Sequence, residues 1–305
     1  MPCFSPLKGY RSKTLTKNGK RKIVFDSRKA HDDETVTLPC RQCIGCRLEY
    51  SRQWAIRCVH EASLYNRNCF ITLTYNNDNL PDDGSLNVRH FQLFMKRLRK
   101  KYGTNIRFFH CGEYGDLHRR PHYHACLFNL DFADKKLWKI TNTGDRLYTS
   151  EELSKIWPYG FCTIGDVTFK SAAYVARYIT KKIYGELAKE HYTVIDDDGV
   201  VTELKHEYTT MSRRPGIAKG WLDKYGGDVY PDDFVIMNGK KMKPPKYYDN
   251  QFEIEHPLEF DDVKDKRLDK AAKHFDNNTY ERLAVREQVL LSKIKKLKRT
   301  VDKEN

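Results

Sequence analysis

Apolar side chains recur at two distinct spacings along the middle of the chain. The segment 87–101 carries them at helical spacing, which predicts an amphipathic helix that ends at Gly103. Phe70–Tyr75 (FITLTY) is rich in β-branched and aromatic residues and predicts a strand. Ile106–Glu113 and His122–Leu130, separated by the loop GDLHRRP, predict two neighbouring strands. This alternation favours an α+β fold with a central, largely antiparallel sheet flanked by helices.

The two ends of the chain lack such clear periodicity. Residues 1–35 are polar and basic, and we expect an irregular arm there. Lys240–Lys246 (KKMKPPK) predicts a basic linker, and the charged residues after it carry one apolar stripe that predicts a helical tail. The predicted parts of the chain are 1–50 (an N-terminal arm with a cysteine cluster), 51–225 (the central domain) and 226–305 (the basic linker and the helical tail).

The net charge of the chain indicates which classes of binding partner are favoured. The 305 residues include 55 Lys+Arg and 41 Asp+Glu, which gives a formal net charge of +14. Such an excess favours a polyanion, because neutralising phosphates releases counterions; nucleic acid is the commonest such partner and an anionic membrane surface the second. No segment approaches the ~20 apolar residues of a membrane span, and no apolar signal region opens the chain. We therefore expect no membrane partner and reduced cysteines.

Two histidines lie two positions apart in one predicted strand. Residues i and i+2 point to the same face, so His122 and His124 project together while Tyr123 points away. The neighbouring strand places Glu113 beside them, which predicts a His-His-Glu metal site with open positions. Two histidines and a carboxylate suit Zn²⁺, whereas phosphoryl-transfer sites more often use Mg²⁺ or Mn²⁺, so the residues alone leave the metal open. Two surface histidines on an exposed strand are the alternative.

A predicted helix at 171–184 carries Tyr174, Tyr178 and Lys181 on one stripe, since these positions fall together at about 100° per residue. The apolar residues of this helix lie on the opposite arc. A tyrosine oxygen can attack a phosphodiester and hold the 5′ phosphate covalently, and two tyrosines one turn apart can alternate. Lys181 or Lys182 would then lower the phenol pKa or contact the phosphate. Half-buried tyrosines at an interface are the alternative.

Three motifs in order, FITLT, His-x-His and Tyr-x-x-x-Tyr-x-x-Lys, resemble those of the HUH endonuclease superfamily. More closely, PCRQCIGC, CGEYGD, RPHYHACLF, AAYVARYITKK and MSRRPGIAKGW are similar to stretches of the replication initiation proteins of gokushovirus-type microviruses. The resemblance implies an HUH-type nuclease domain at 51–225. It implies Mg²⁺ or Mn²⁺ on His122 and His124, and catalysis by Tyr174 and Tyr178. Glu113 fits the acidic residue that completes the metal site in many members.

The resemblance implies an initiator of rolling-circle replication that acts in the cytoplasm of a bacterial host. Such a protein nicks single-stranded DNA at an origin, forms a 5′-phosphotyrosine link and later rejoins the strands. Host helicase and replication machinery are the implied partners, and the sequence has no GxxxxGK[ST] phosphate loop for strand separation. The alternatives are a plasmid mobilisation or transposition nickase of the same chemistry, and a non-catalytic, zinc-stabilised nucleic-acid-binding protein.

Nine cysteines divide into a cluster and a dispersed set. Cys40, Cys43 and Cys46 are closely spaced, and Cys3 would complete a structural zinc site of four thiolates that holds the N-terminal residues. Reduced free thiols are the alternative. The dispersed cysteines lie in apolar stretches and are predicted to be buried in the core; they are Cys58, Cys69, Cys111, Cys126 and Cys162.

Basic residues beside the two central motifs are candidate DNA contacts. Arg119 and Arg120 precede the histidine strand, where they are expected to hold phosphates of the scissile strand. Lys182 follows the tyrosine stripe and is a candidate for the same role. Arginines in such positions, Arg119 and Arg120 included, are individually more often solvated surface charges.

Overall fold

The computed structural model describes residues 3–17, 19, 21–115, 119–181, 186–195 and 199–296, with the side chains at 178–181 and 186–187 outside the description. Contacts between residues divide the chain into two compact units. The first unit consists of the described parts of 1–50 and 266–298. The second unit consists of 51–265, again without the residues that the description omits.

The first unit contains a small antiparallel sheet. Its strands are β1 (Leu7–Leu15), β2 (Arg21–Val24) and β3 (Ala30–Leu38). Strand β1 lies between the other two. The prediction of an irregular arm at residues 1–35 is therefore wrong. Most side chains of β1 and β3 are exposed, so these strands lack the alternation of apolar and polar residues that marks a half-buried strand.

The second unit is built on a large antiparallel sheet. The strands of this unit are β4 (Asn68–Thr74), β5 (Arg107–Tyr114), β6 (Pro121–Phe128), β7 (Lys136–Ile140), β8 (Arg146–Thr149), β9 (Cys162–Gly165), β10 (Thr193–Ile195), β11 (Val201–Glu203), β12 (Tyr208–Met211), β13 (Val235–Met237) and β14 (Lys240–Met242). Among the described residues, seven strands form the large sheet in the order β12-β5-β6-β4-β9-β8-β7. Every neighbouring pair in it is antiparallel.

Helices accompany these strands in both units. They are α1 (Ile44–Ala62), α2 (Val88–Tyr102), α3 (Glu151–Ile156), α4 (Phe169–Lys181), α5 (Glu186–Tyr192), α6 (Lys219–Tyr225), α7 (Lys246–Glu255), α8 (Pro257–Ala272) and α9 (Tyr280–Lys296). In the described part of the chain, none of them is both long and apolar enough to cross a bilayer. The antiparallel sheet, its helices and the helical C-terminal segment confirm the predicted α+β fold class.

The large sheet buries side chains on both faces, because alternate residues of each strand point to opposite sides. Ile71, Leu73 and Tyr123 point to one face, where they pack against the apolar side of α2. Phe109 and Cys126 point to the other face, where they pack with residues of α1 and α4. The α4 residues buried on this second face are Ala172, Val175 and Ala176. The apolar arc predicted for this helix is thus the side that docks on the sheet.

Two segments differ from what the sequence predicts. Lys240–Lys246, the predicted linker, contains β14 and leads directly into α7, whose Tyr248 is fully buried. Residues 136–149, for which no strand is predicted, form β7 and β8. The turn between them contains Gly144 with a φ of 80°, a left-handed conformation that glycine adopts at little cost.

Candidate active site

Three potential metal ligands meet on the face of the large sheet against which α4 packs. Strands β5 and β6 pair so that Glu113 lies opposite His122, and His124 follows two residues further along β6. The Nε2 atoms of both histidines lie 2.8 Å from Oε1 of Glu113. All three side chains are buried, and their ligand atoms lie within 4.8 Å of one another. The structure therefore brings together the predicted His-His-Glu group.

Each imidazole is oriented by a second hydrogen bond at Nδ1. In His122 this atom lies 3.0 Å from the carbonyl oxygen of Arg120, and in His124 it lies 2.9 Å from Oγ1 of Thr72. A carbonyl oxygen only accepts, so Nδ1 of His122 carries a hydrogen. Nε2 donates a second hydrogen to the Glu113 carboxylate, and loss of that hydrogen leaves Nε2 free to bind a metal. Both rings are thus held with their Nε2 atoms toward Glu113.

The charge of Glu113 suits a cation at this place. Burial by itself raises the pKa of this carboxyl, but hydrogen bonds with His122 and His124 outweigh it, and the net shift of the pKa is downward. The second oxygen, Oε2, is buried and has no hydrogen-bond partner among the described residues. Buried polar atoms are normally satisfied, so an ionised carboxylate with an unused oxygen fits a bound cation. The donor set of two imidazoles and one carboxylate agrees with that fit.

Helix α4 places Tyr174 over this group. The hydroxyl of Tyr174 lies 3.4 Å from Oε1 of Glu113, and its ring makes an edge-on contact with His124 at a centroid distance of 5.0 Å. The side chain is half-buried rather than enclosed in the core. The backbone of Tyr178 and Lys181 continues the same helix, but their side chains lie outside the described residues, as does the whole of Lys182.

Comparisons with known proteins cover most of the chain. It is 34% identical over 275 residues to the replication-associated protein VP4 of Bdellovibrio phage phiMH2K, which covers 86% of this chain and 81% of that protein. It is also 36% identical over 252 residues to the replication-associated protein ORF2 of Spiroplasma virus 4, covering 78% of this chain and 74% of that protein. The chain belongs to the microvirus-type replication-associated proteins. The family resemblance drawn from the sequence is confirmed.

Further comparisons agree with this membership. This replication-associated protein is 29% identical over 219 residues to the replication-associated protein ORF4 of Chlamydia phage 1, covering 69% of this chain and 52% of that protein. The family model described as replication-associated protein ORF2/G2P matches residues 68–183, which run from β4 through α4. The matched segment contains Glu113, His122, His124 and Tyr174. No solved structure matches this chain.

The two arginines of the replication-associated protein that precede β6 make internal hydrogen bonds. Arg120 donates from its guanidinium to the carbonyl oxygen of Tyr75 at 3.1 Å and to Oδ1 of Asn77 at 2.8 Å. Arg119 is exposed and donates to the carbonyl oxygen of His191. The structure thus gives Arg120 a local role, since it connects the start of β6 to the end of β4. Contact of either residue with DNA stays a prediction.

A second potential metal-binding group lies in the first unit. The Sγ atoms of Cys3, Cys40, Cys43 and Cys46 all lie within 4.8 Å of one another. Backbone N–H groups of Phe4, Cys40 and Cys43 each donate to a cluster sulfur at 3.3 Å. Burial by itself raises the pKa of Cys40, but hydrogen bonds from the backbone of Cys43 and Gln42 lower the pKa to about 7. The five cysteines predicted to lie in the core are buried: Cys58, Cys69, Cys111, Cys126 and Cys162.

The residues that orient the histidines were not predicted from the sequence. The FITLT motif was predicted only to be a strand, and its Thr72 hydrogen bonds to His124. Its position in the motif is a usable signal, because Phe70, Thr72 and Thr74 alternate onto the same face of β4 as the histidines, which pair with this strand. The role of the Arg120 carbonyl carries no sequence signal, because every residue has such a group.

Proposed function

We propose that this replication-associated protein is a metal-dependent endonuclease and strand transferase of the two-tyrosine HUH type. It nicks single-stranded DNA at an origin through a tyrosine nucleophile, remains joined to the 5′ phosphate and rejoins the strands in rolling-circle replication. The observation that carries the proposal is the position of the Tyr174 hydroxyl beside the His-His-Glu group, at 3.4 Å from Glu113. A hydroxyl nucleophile next to buried cation ligands is the arrangement that phosphodiester transfer requires.

His122, His124 and Glu113 would hold the divalent cation, which we propose to be Mg²⁺ or Mn²⁺. When bound, such an ion stabilises negative charge on the phosphate oxygens. The protein's own contribution is orientation. Thr72 and the Arg120 carbonyl fix the two imidazoles, so the ligands are set before DNA arrives.

Tyr174 is the proposed nucleophile. Its hydroxyl hydrogen points toward Oε1 of Glu113, which leaves the oxygen lone pairs available for attack. The new bond joins the phenolic oxygen to phosphorus while the bond from phosphorus to the 3′ oxygen breaks. The phenol loses a proton and the departing 3′ oxygen gains one. A free 3′ hydroxyl reverses the exchange when it attacks the phosphotyrosine, so religation needs no ATP.

Further residues are assigned by the same proposal. Tyr178 is the second nucleophile, which allows one tyrosine to cleave while the other holds an end. Lys181 and Lys182 lower the phenol pKa or contact the phosphate, and Arg119 and Arg120 hold phosphates of the scissile strand. The partners are the single-stranded origin and the host helicase and replication machinery, since the sequence contains no phosphate loop of the helicase type.

The test is a covalent adduct between the protein and single-stranded oligonucleotides tiled across the genome that encodes it. With Mn²⁺ we expect an adduct that survives denaturing electrophoresis and disappears with EDTA. It should also be lost when Tyr174 and Tyr178 are both changed to phenylalanine. The matched control is Tyr280→Phe, because Tyr280 is an exposed tyrosine of α9 in the first unit. No adduct with any divalent metal, despite oligonucleotide binding, would favour a non-catalytic binding protein.

We also propose that the four clustered cysteines bind a structural Zn²⁺. Four sulfurs within 4.8 Å and backbone N–H groups directed at three of them are typical of a closed zinc site. Purified protein should contain zinc, measured by atomic emission, and Cys43→Ser should lose it. Cys162→Ala is the control because Cys162 is buried outside the cluster. Zinc retained by Cys43→Ser would contradict the assignment.

A further inference from the structure

A groove of about 200 Å³ adjoins the candidate active site in the second unit. Strands β4 and β9 contribute Thr72, Thr74 and Thr163 to it, the β7–β8 hairpin contributes Trp138, and His124 and Tyr174 border it. Because His124 and Tyr174 border the groove, it is continuous with the proposed cleavage site.

Two aromatic side chains line this groove without being buried. Trp138 is 47% exposed and Phe161 is 49% exposed. Their rings meet edge-on at a centroid distance of 5.1 Å. Single exposed apolar residues need no explanation, but a pair of half-exposed rings in one groove offers flat faces on which a planar group can stack. Deeper in the groove, Phe70 stacks on His124 at 5.6 Å.

Basic side chains lie among these rings. The cations that line the groove are Lys139, Arg146, Lys170 and Arg177, and the acidic residues are Asp145 and Asp166. Lys139 holds its Nζ 4.5 Å from the centre of the Trp138 ring. Arg146 and Arg177 are exposed. The surplus of cations over carboxylates gives the groove a charge that complements phosphates.

The β7–β8 hairpin, which forms one side of the groove, contacts the helix that carries the proposed nucleophile. Lys170, in the first turn of α4, donates from Nζ to Oγ1 of Thr143 at 3.0 Å and forms an ion pair with Asp145. Both partners lie in the turn between β7 and β8. This connection holds the β7–β8 hairpin and its Trp138 beside the start of α4.

We infer that this groove binds single-stranded DNA next to the scissile phosphate, with unpaired bases stacked on Trp138 and Phe161 and phosphates facing Lys139, Arg146 and Arg177. The inference rests on the proposed function for the identity of the neighbouring site. Flat rings interleaved with cations are the combination by which proteins hold single strands with little sequence preference. A base must be unpaired to stack on a protein ring, so duplex DNA does not fit this mode.

The test measures binding without chemistry. Fluorescence anisotropy of a labelled oligo(dT) is recorded with the full-length protein in buffer without Mg²⁺ or Mn²⁺, so that no strand is cut and the proposed zinc is kept. Trp138→Ala and Phe161→Ala should each weaken binding about 5- to 100-fold, the range for loss of one stacked base. Trp138→Phe should retain most of the affinity because it keeps a ring. Phe275→Ala is the control, since Phe275 is exposed to 76% in the first unit and should leave binding unchanged.

Three outcomes separate this inference from the proposed function. Normal oligo(dT) affinity in Trp138→Ala and Phe161→Ala, with circular dichroism unchanged, overturns the groove whether or not the adduct forms. If the two variants lose as much affinity for a duplex of the same length as for oligo(dT), the inference is also overturned. The lost interaction would then not be the stacking of unpaired bases. Weakened single-strand binding, together with no adduct from the unaltered protein under any metal, supports the groove and contradicts the nuclease.

Discussion

The His-His-Glu group of the second unit and the cysteine cluster of the first unit differ in how many coordination positions they would leave open on a bound metal. The cysteine cluster presents four sulfurs, which would fill the coordination sphere of the proposed tetrahedral zinc ion and leave no position for another ligand. The His-His-Glu group has three ligand residues, an unused carboxylate oxygen and a tyrosine hydroxyl at 3.4 Å. A saturated group can only hold the chain together, whereas an unsaturated group beside a nucleophile can act on a substrate.

The largest expected effect is a loss of adduct formation when a residue of the His-His-Glu group is removed. His122→Ala should lower the rate of adduct formation by about 10²–10³-fold, because one cation ligand is lost. Because His122 is buried, its removal should also lower the thermal midpoint, so the rate is measured well below the midpoint of the variant. Adduct yield against time and a melting curve measure the two quantities. His31→Ala, at an exposed histidine of β3, is the matched control, and an unimpaired rate in His122→Ala would remove the distinction.

The cysteine cluster should show the opposite behaviour. Cys43→Ser is expected to lose zinc and to make the N-terminal strands sensitive to protease, because metal binding by such a group is coupled to folding. The adduct rate should fall less than in His122→Ala, because the cysteines lie in a different unit from the His-His-Glu group. Limited proteolysis followed by mass spectrometry locates the cleavage. If Cys43→Ser lost the adduct while remaining protease-resistant, the cluster would not be purely structural.

Another buried histidine of the second unit, His60, has surroundings unlike those of His122 and His124. It stacks on Trp221 at 3.6 Å and hydrogen bonds to the Tyr248 hydroxyl at 2.8 Å. Burial lowers the pKa of His60 to about 4, below the unfolded value of about 6.5. Its contribution to folding stability is therefore full above pH 6.5 and is lost as the pH falls to about 4. The loss amounts to about 2–3 kcal/mol.

Urea unfolding of the unaltered protein and of His60→Gln at several pH values measures this effect. The free energy of unfolding of the unaltered protein should fall more steeply between pH 6.5 and 4 than that of the variant. Parallel curves would show that His60 does not titrate in this range.

The smallest expected effect concerns the orientation of a ligand. Thr72→Val removes the hydroxyl that lies 2.9 Å from Nδ1 of His124 but keeps the shape of the side chain. Loss of such an orienting bond typically weakens metal affinity about tenfold, so the Mn²⁺ concentration for half-maximal adduct formation should rise by about that factor. The rate at saturating Mn²⁺ should stay near normal. Thr35→Val, at an exposed threonine of β3 in the first unit, serves as the control.

The sequence predicted which residues come together at the candidate site better than it predicted the strands at the periphery; the roles of those residues stay predictions. The two-residue period of strands and a short connection predict that His122, His124 and Glu113 lie together. Helical spacing predicts the stripe that contains Tyr174. Both patterns are local, and they persist because one face of each element is buried. The small N-terminal sheet was not predicted because most side chains of its strands are exposed and do not alternate between apolar and polar. The strand that carries Trp138 was not predicted for the same reason, since β7 exposes residues on both of its faces. The three-part division of the chain stays a prediction.

Helix α4 fixes the spacing between the groove and the proposed nucleophile. Lys170 anchors one end of the groove and Tyr174 follows four residues later, so the two lie about 6 Å apart along the helix axis. Their separation does not depend on any hinge between them. One residue inserted after Lys170 would turn the tyrosine by about 100° and advance it by about 1.5 Å. In the proposed nuclease, the position of the cut would then depend on the helical pitch as well as on the base sequence.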